Sequence, residues 1–458
     1  MKIYIDISTK KRLGTVAPLS SLHSVNDVVH DKGTLATGLY FLDWLHKTKQ
    51  SLWQFLPLHT SEFEPHTQKQ VSSPYKGYGI GLDPKYLPEK FASSFPTQEQ
   101  KSAFISQHEN WIHKYALFCA LRDYFQTDNW REWDKEVCEH EPEAIEKWSR
   151  ILAKEIDQHI IMQWRLHAAF EELKQKAARL GITLSGDLPF YLALHSPLVW
   201  AHQDAFEIEA DGSLQVVSGV TDSPPSFFGR QVWGHPLYHW ESKTGCQSVL
   251  FIWTLRLEYM ASLFGSLRFD YAEAFYHYGR MDMRHPRHDQ DVVGPGSPVF
   301  EKLMKLAGLL GISIFAEDSG TQTAEMKQSL QKFRCPSIRI FRFSATESMT
   351  QIPALSVIYT STHDTETLCS FIENQTREEK QKIAQAAQIE YTVDDHLYIQ
   401  KLIQAVISSP AQTVIVPIQD WLQTTERINI PGTETPTDDP NWRFQVRTPI
   451  EELPEVTR

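Results

Sequence analysis

Carboxylates at the ends of apolar runs are the first feature of this sequence that could do chemistry. In ISIFAEDSG the β-prone run 312–316 ends in Glu317 and Asp318. Charge at the end of a buried strand is costly unless something there uses it. The same pattern gives Asp187 in LSGDLPFY, Asp270 in LRFDY, Asp364 in YTSTHD and Asp420 in VIVPIQD. Arg268 lies two residues before Asp270, so in a strand both side chains leave one face. A guanidinium there keeps the carboxylate ionised, as a nucleophile must be. Phe315 and Ala316 give Glu317 an apolar approach of the kind that lifts a carboxyl toward the range of a general acid. Asp318 falls on the opposite face and reads as a loop or helix-start ligand.

Paired carboxylates with no cofactor motif point to glycoside chemistry, in which a nucleophile and an acid/base flank the scissile bond. When configuration is retained, the two carboxyls sit about 5 Å apart. A metal hydrolase is the rival from the same residues, because His363 adjoins Asp364. The strands carry no H-x-H and the chain no H-E-x-x-H, so no metal is expected. Nor is a cofactor, since neither a G-x-G-x-x-G nor a G-x-x-x-x-G-K motif appears.

The elements that must position these groups follow a repeating plan. AARLGITLSGDLPFY and LAGLLGISIFAEDSG each read as a helix end, a terminating glycine (Gly181, Gly311), a short strand and a carboxylate. Further strand-like runs are SLWQFLPLH, GSLRFDY, IRIFRFS, SVIYTSTHD and TVIVPIQD, mostly with helical material between them. Alternating strands and helices imply a parallel sheet, and about eight such runs favour a closed (β/α)8 barrel, which places chemistry at the strands' C-terminal ends. Two segments stand outside simple barrel units and read as insertions beside the mouth. The first, about 88–175, is helical and Trp-rich; the second, about 197–250, is rich in Pro, Gly and aromatics. One catalytic domain over 1–458 is expected.

Composition narrows the partners. A net charge of −12 without any block of like charge disfavours nucleic acid and anionic membranes. The longest near-apolar run is too short to span a bilayer, and no secretory signal is visible. The 5 cysteines are widely spaced with no C-x-x-C pair, which fits a reduced, cytoplasmic protein.

Taken together and in order, VAPLSSL, SLWQFLPL, SSPYKGYG, GDLPFYLALHSPLVW, GRQVWGHPLYHW, LRFDY, FAEDSG, YTSTHDTET, PIQDWL, ERINIPGT and NWRFQVRTP resemble the amylomaltase, or disproportionating-enzyme, group of 4-alpha-glucanotransferases in glycoside hydrolase family 77. The resemblance implies a cytoplasmic (β/α)8 barrel lacking a C-terminal β-sandwich. Such an enzyme cleaves an α-1,4-glucan (a maltodextrin, or a glycogen or starch fragment) and passes the segment to another glucan or to glucose. It implies Asp270 as nucleophile, Glu317 as acid/base and Asp364 as the third carboxylate, which binds sugar hydroxyls. Arg268 and His363 would hold the donor sugar, Tyr75 would stack on it, Asp187, Gln231 and Trp233 would line adjacent sites, and Asn429 would reach the same cleft.

The chain departs from the family's usual residues at several places. Tyr271 stands where a His is usual, and Ala272, Glu273 and Ala274 replace Phe-Arg-Gly. His195 replaces Asp, His235 replaces Asn, Thr365 replaces Asn, and Arg230 is an apparent extra residue. Donor binding, not reaction type, is expected to change. A plain α-1,4-glucan hydrolase and a decayed glucan-binding homologue remain the alternatives. Phe227, Phe228, Trp233 and Tyr238 offer an aromatic loop over the mouth that would stack an acceptor and exclude water.

Overall fold

The computed structural model describes residues 2–4, 11–64, 69–221, 229–318, 322–433 and 441–457. Eight parallel strands close into a barrel in chain order: β1 (Arg12–Val16), β2 (Leu52–Gln54), β3 (Thr183–Pro189), β4 (Ser266–Asp270), β5 (Ser313–Ala316), β6 (Ser337–Ile340), β7 (Ser356–Tyr359) and β8 (Thr413–Pro417). The expected (β/α)8 barrel is thus borne out. The strands are short, rich in Val, Ile and Leu, and mostly buried on both faces, as parallel strands under a helical layer must be. Gly14 lets β1 and β2 approach closely, because a Cβ there would lie 2.7 Å from Leu52.

The helices that return the chain are α1 (Leu35–Lys47), α2 (Ala153–Arg179), α3 (Lys243–Leu263), α4 (Ser297–Leu309), α5 (Ala324–Phe333) and α6 (Asp395–Ser408). Thr34, Ser242, Thr323 and Asp394 cap α1, α3, α5 and α6 by accepting from backbone N–H groups of the first turn. Gly181 and Gly311 end α2 and α4 at φ 68° and 70°, in the left-handed conformation the sequence pattern called for. Only 3-10 turns link β6 to β7. Among the described residues, no helix is long and apolar enough to cross a membrane.

Two additions flank the barrel. Between β2 and α2 run short helices, the longest being Ile112–Phe125, which packs on α2. Helix α2 itself packs on α1 and β3, so the end of this helical segment belongs to the barrel's outer layer. The second addition is a four-stranded antiparallel sheet with the strand order Gln231–Val232, Val216–Val220, His277–Asp282 and Gln290–Val293. The region about 197–250 supplies only the first two of these strands. The other two come from beyond β4, a pairing of distant segments that sequence periodicity does not disclose.

Gly186 stands in β3 immediately before Asp187, and a Cβ there would meet the Phe264 ring at 2.6 Å and Leu267 at 2.9 Å. Both neighbours are buried. Gly186→Ala is predicted to destabilise the protein by about 1–3 kcal/mol through overpacking and to lower activity by moving Asp187. Urea unfolding with a parallel rate assay checks this; unchanged stability and rate would contradict the packing described.

Candidate active site

At the C-terminal end of the barrel one guanidinium gathers three carboxyls. Arg268 on β4 donates from Nη1 to Asp187 Oδ2 at 2.6 Å and to Asp270 Oδ2 at 3.0 Å, and from Nη2 to Glu317 Oε2 at 2.5 Å. The strand register makes this possible. Asp187 is paired with Arg268 across β3 and β4, and Arg268 with Phe315 across β4 and β5. Alternation then puts Asp270 and Glu317, each two residues on, at the mouth on the same face. Asp318, on the other face, accepts from the Ile338 N–H of β6 at 3.1 Å and is buried. Its structural role is the one its position in the sequence indicated.

The electrostatics divide these groups. Burial lifts Glu317 well above the usual carboxyl range, Arg268 opposes this, and Asp270, Asp364 and a hydrogen bond with Asp270 add to it. A protonated Glu317 can donate that bond, and the same proton could pass to a leaving group. Burial raises Asp187 to about 6, with Arg268 opposing. Asp364 goes the other way: burial would raise it, but the charge and hydrogen bond of His363 and the bond from Asn429 hold it at about 2. Neighbouring carboxyls pushed apart in this way are the pattern of divided acid and anion roles.

The loop after β7 completes one side. His363 Nε2 lies 2.9 Å from Asp364 Oδ2, and Asn429 Nδ2 donates to Asp364 Oδ1 at 2.7 Å. Tyr75 donates its hydroxyl to Asp187 Oδ2 at 2.8 Å, and the Tyr75 hydroxyl oxygen itself lies 2.9 Å from His363 Nε2. Its ring stacks on His363, with centroids 5.5 Å apart. Asp420, one of the strand-end carboxylates in the sequence, does not join the group. It accepts from Ser361 Oγ at 2.7 Å, from the Leu368 N–H at 2.8 Å and from Thr360 Oγ1, bracing the loop that carries His363 and Asp364.

The flanking sheet supplies the opposite side. Trp233 Nε1 donates to Gln231 Oε1 at 2.9 Å, and the Trp233 ring meets Tyr271 edge-on with centroids 5.3 Å apart. Gln231 reaches across to the loop after Asn429, where its Cγ lies 3.7 Å from the position of a Cβ on Gly432. Tyr271, which replaces the usual His, therefore belongs to an aromatic wall beside Asp270. His235 pairs with Ser218 Oγ at 3.0 Å, Thr365 Oγ1 accepts from the Thr362 N–H at 2.9 Å, and Arg230 pairs with Asp289 at 2.6 Å. Glu273 sits in the turn Ala272–Phe275. His195 has Arg131 as its charged neighbour, and burial lowers its pKa to about 3. Tyr238 is buried and donates to the Phe190 carbonyl at 2.8 Å, so it pins the segment to the barrel and offers no exposed stacking face. Phe227 and Phe228 lie outside the described residues.

Three further contributors were not assigned from the sequence. The Trp442 ring lies 5.5 Å from Tyr75 and 5.9 Å from His363. Arg427 donates to the Asp364 carbonyl at 2.8 Å. Tyr359, the last residue of β7, donates to Gln54 Oε1 at 2.5 Å and feels the charge of Arg268. Strand alternation could have flagged Tyr359; nothing local marks the other two.

Comparison with known proteins gives a consistent result. A family model described as 4-alpha-glucanotransferase, glycoside hydrolase family 77, matches residues 82–450. The 4-alpha-glucanotransferase of Aquifex aeolicus is 28% identical over 452 residues, covering 89% of this chain and 90% of its own. That of Thermus thermophilus is 29% identical over 372 residues, covering 76% and 71%. Among solved structures, the amylomaltase of Streptococcus agalactiae in complex with acarbose superposes with a TM-score of 0.81 at 23% identity, over 96% of this chain and 95% of that one.

The raised pKa of Glu317 has a consequence for stability. A folded-state pKa above the ordinary 4.5 means the folded protein holds a proton that the unfolded chain releases. That contribution is complete below about pH 4.5 and is lost as pH rises toward the folded value. Glu317→Gln mimics the protonated form, so it is predicted to raise the melting temperature at pH 7 and to leave it unchanged near pH 4. Melting curves across this range test it; an equal shift at both pH values would contradict the assignment.

Proposed function

Because this chain belongs to the glycoside hydrolase family 77 of 4-alpha-glucanotransferases, we propose that the carboxyls around Arg268 carry out its glucan transfer by double displacement. The chain is a glycosyl-transferring enzyme acting on α-1,4-glucans. In the first step an Asp270 oxygen bonds to the anomeric carbon as Glu317 protonates the departing glycosidic oxygen. In the second, an acceptor 4-hydroxyl attacks that carbon, gives its proton to Glu317 and releases Asp270, so configuration is retained. The acceptor is another glucan or glucose.

The observation that carries this reading is the opposed behaviour of Glu317, which shares Arg268 and a hydrogen bond with Asp270, and Asp364, which is held by His363 and Asn429. Burial and neighbouring charge raise Glu317 well above the usual carboxyl range and suit it to be the acid; Asp364 is held at about 2 and is suited to bind sugar hydroxyls and the oxocarbenium-like ring. Arg268 and His363 hold the donor sugar, with Tyr75 beside it and Asn429 orienting Asp364. Asp187 bonds Arg268 and Tyr75 and fixes both. Gln231 and Trp233 line adjacent sites, and Tyr271 packs on Trp233 beside the donor site. The reading takes 1–458 as one catalytic unit and places it in the cytoplasm, supported by five cysteines that stand as free thiols.

Transfer and hydrolysis separate in one assay. Maltotriose is predicted to yield glucose and longer maltodextrins with little rise in total reducing ends, because a bound acceptor is aligned as bulk water is not. A steady climb in reducing ends without longer chains would make the enzyme a hydrolase. No products at all would make it a glucan binder. Asp270→Asn is predicted to cost several orders of magnitude in turnover with the fold intact; retention of more than about a tenth of the rate would remove Asp270 from the nucleophile's role.

A further inference from the structure

We propose a divalent transition-metal site at the tip of the flanking-sheet hairpin, built from Asp282, His285 and His288. The site stands apart from the glucan reaction and does not depend on it. These residues end the strand His277–Asp282 and form the turn that leads to Gln290–Val293. Each offers one donor atom, and all three donors lie within 4.8 Å of one another. Asp282 Oδ1 is 3.8 Å from His285 Nδ1, and Asp282 Oδ2 is 3.5 Å from His288 Nδ1. A tetrahedral ion bonded at about 2.0–2.2 Å needs donors roughly 3.4 Å apart. Asp282 Oδ2 and His288 Nδ1 stand close to that spacing, and rotation of the exposed His285 ring, whose Nδ1 now faces Oδ1, brings the third donor to the same ion.

Local structure prepares the site. Asp282 Oδ1 accepts from the backbone N–H groups of Arg284 at 2.8 Å and His285 at 2.7 Å, which fixes the carboxylate and leaves Oδ2 toward His288. Pro286 opens a 3-10 turn through His288, and the three-residue period of such a turn brings His285 and His288 to one side. Asp289 closes the loop from behind: its Oδ1 accepts from the Asp282 N–H at 3.0 Å and its Oδ2 pairs with Arg230 at 2.6 Å. Asp289 is therefore committed to holding the turn, and the ligand set is two imidazoles and one carboxylate with solvent in the fourth position.

That donor set selects the metal. Two nitrogen donors suit Zn2+, Ni2+ or Cu2+ and are poor ligands for Ca2+ or Mg2+, which take oxygen. Arg284 and Arg287 flank the turn and oppose loosely held cations, so only an ion forming short, directed bonds gains enough to stay. Bound there, the ion ties the turn to the end of a strand that pairs with Val216–Val220, whose other neighbour carries Gln231.

The test is calorimetric titration of tag-free full-length protein with ZnCl2, repeated on H285A, H288A and the double variant. Wild type is expected to bind one equivalent that the double variant lacks, each single variant to weaken binding at least about tenfold, and MgCl2 to give no heat. The zinc K-edge spectrum should show two imidazoles and oxygen donors. Circular dichroism confirms that the variants, altered only at exposed side chains, remain folded. Equal zinc binding by wild type and the folded double variant, or no uptake by wild type at about 100 µM, overturns the proposal.

Discussion

One buried cation determines the arrangement of the mouth. Arg268 is almost wholly enclosed and touches Asp187, Asp270 and Glu317. Removing a charge from water costs several kcal/mol per ion, and only close, well-oriented partners offset it. One guanidinium cannot support three neighbouring anions in a site of low dielectric, so part of the negative charge must be removed by a proton. Glu317 takes it, because burial and the nearby Asp270 and Asp364 all disfavour its charged form. The raised pKa of Glu317 is in this sense a property of the whole group and not of the glutamate alone.

The barrel's contribution is register. Cross-strand neighbours Asp187 and Arg268 are set by hydrogen bonding between β3 and β4, and the step of two along β4 and β5 carries Asp270 and Glu317 to the rim. Loops then supply what strands cannot. Asp420 braces the β7 loop from behind, with both of its oxygens accepting from residues 360–368. His363 and Asp364 are therefore held by a buried carboxylate that lies outside the Arg268 group. The aromatic wall of Trp233 and Tyr271 rests on a sheet assembled from two segments on either side of β4.

What the sequence made legible follows from the same physics. Period-two alternation and helix-ending glycines are local signals, so the barrel, the shared face of Arg268 and Asp270, and the opposed faces of Glu317 and Asp318 could be read directly. The chain's resemblance to a known family pointed to Tyr75, Gln231, Trp233, His363 and Asn429 as candidates for the site; no local pattern would have done so. The flanking sheet, the contact of Trp442 with Tyr75 and His363, and the bracing role of Asp420 depend on contacts between segments far apart in the chain. Asp420 illustrates the limit well. In the sequence it follows an apolar run as Asp270 does, but it lies in the short helix Ile418–Leu422 just past β8 and bonds Thr360, Ser361 and Leu368 of the scaffold.

The most direct test of the central claim is to trap the intermediate. The enzyme is incubated without acceptor with a fluorinated maltosyl fluoride, whose second step is slow, and the digested protein is examined by mass spectrometry. A glycosyl adduct on the peptide containing Asp270, absent from the Asp270→Asn variant, is the predicted result. An adduct on Glu317 or Asp364, or steady turnover with no adduct, would contradict the account.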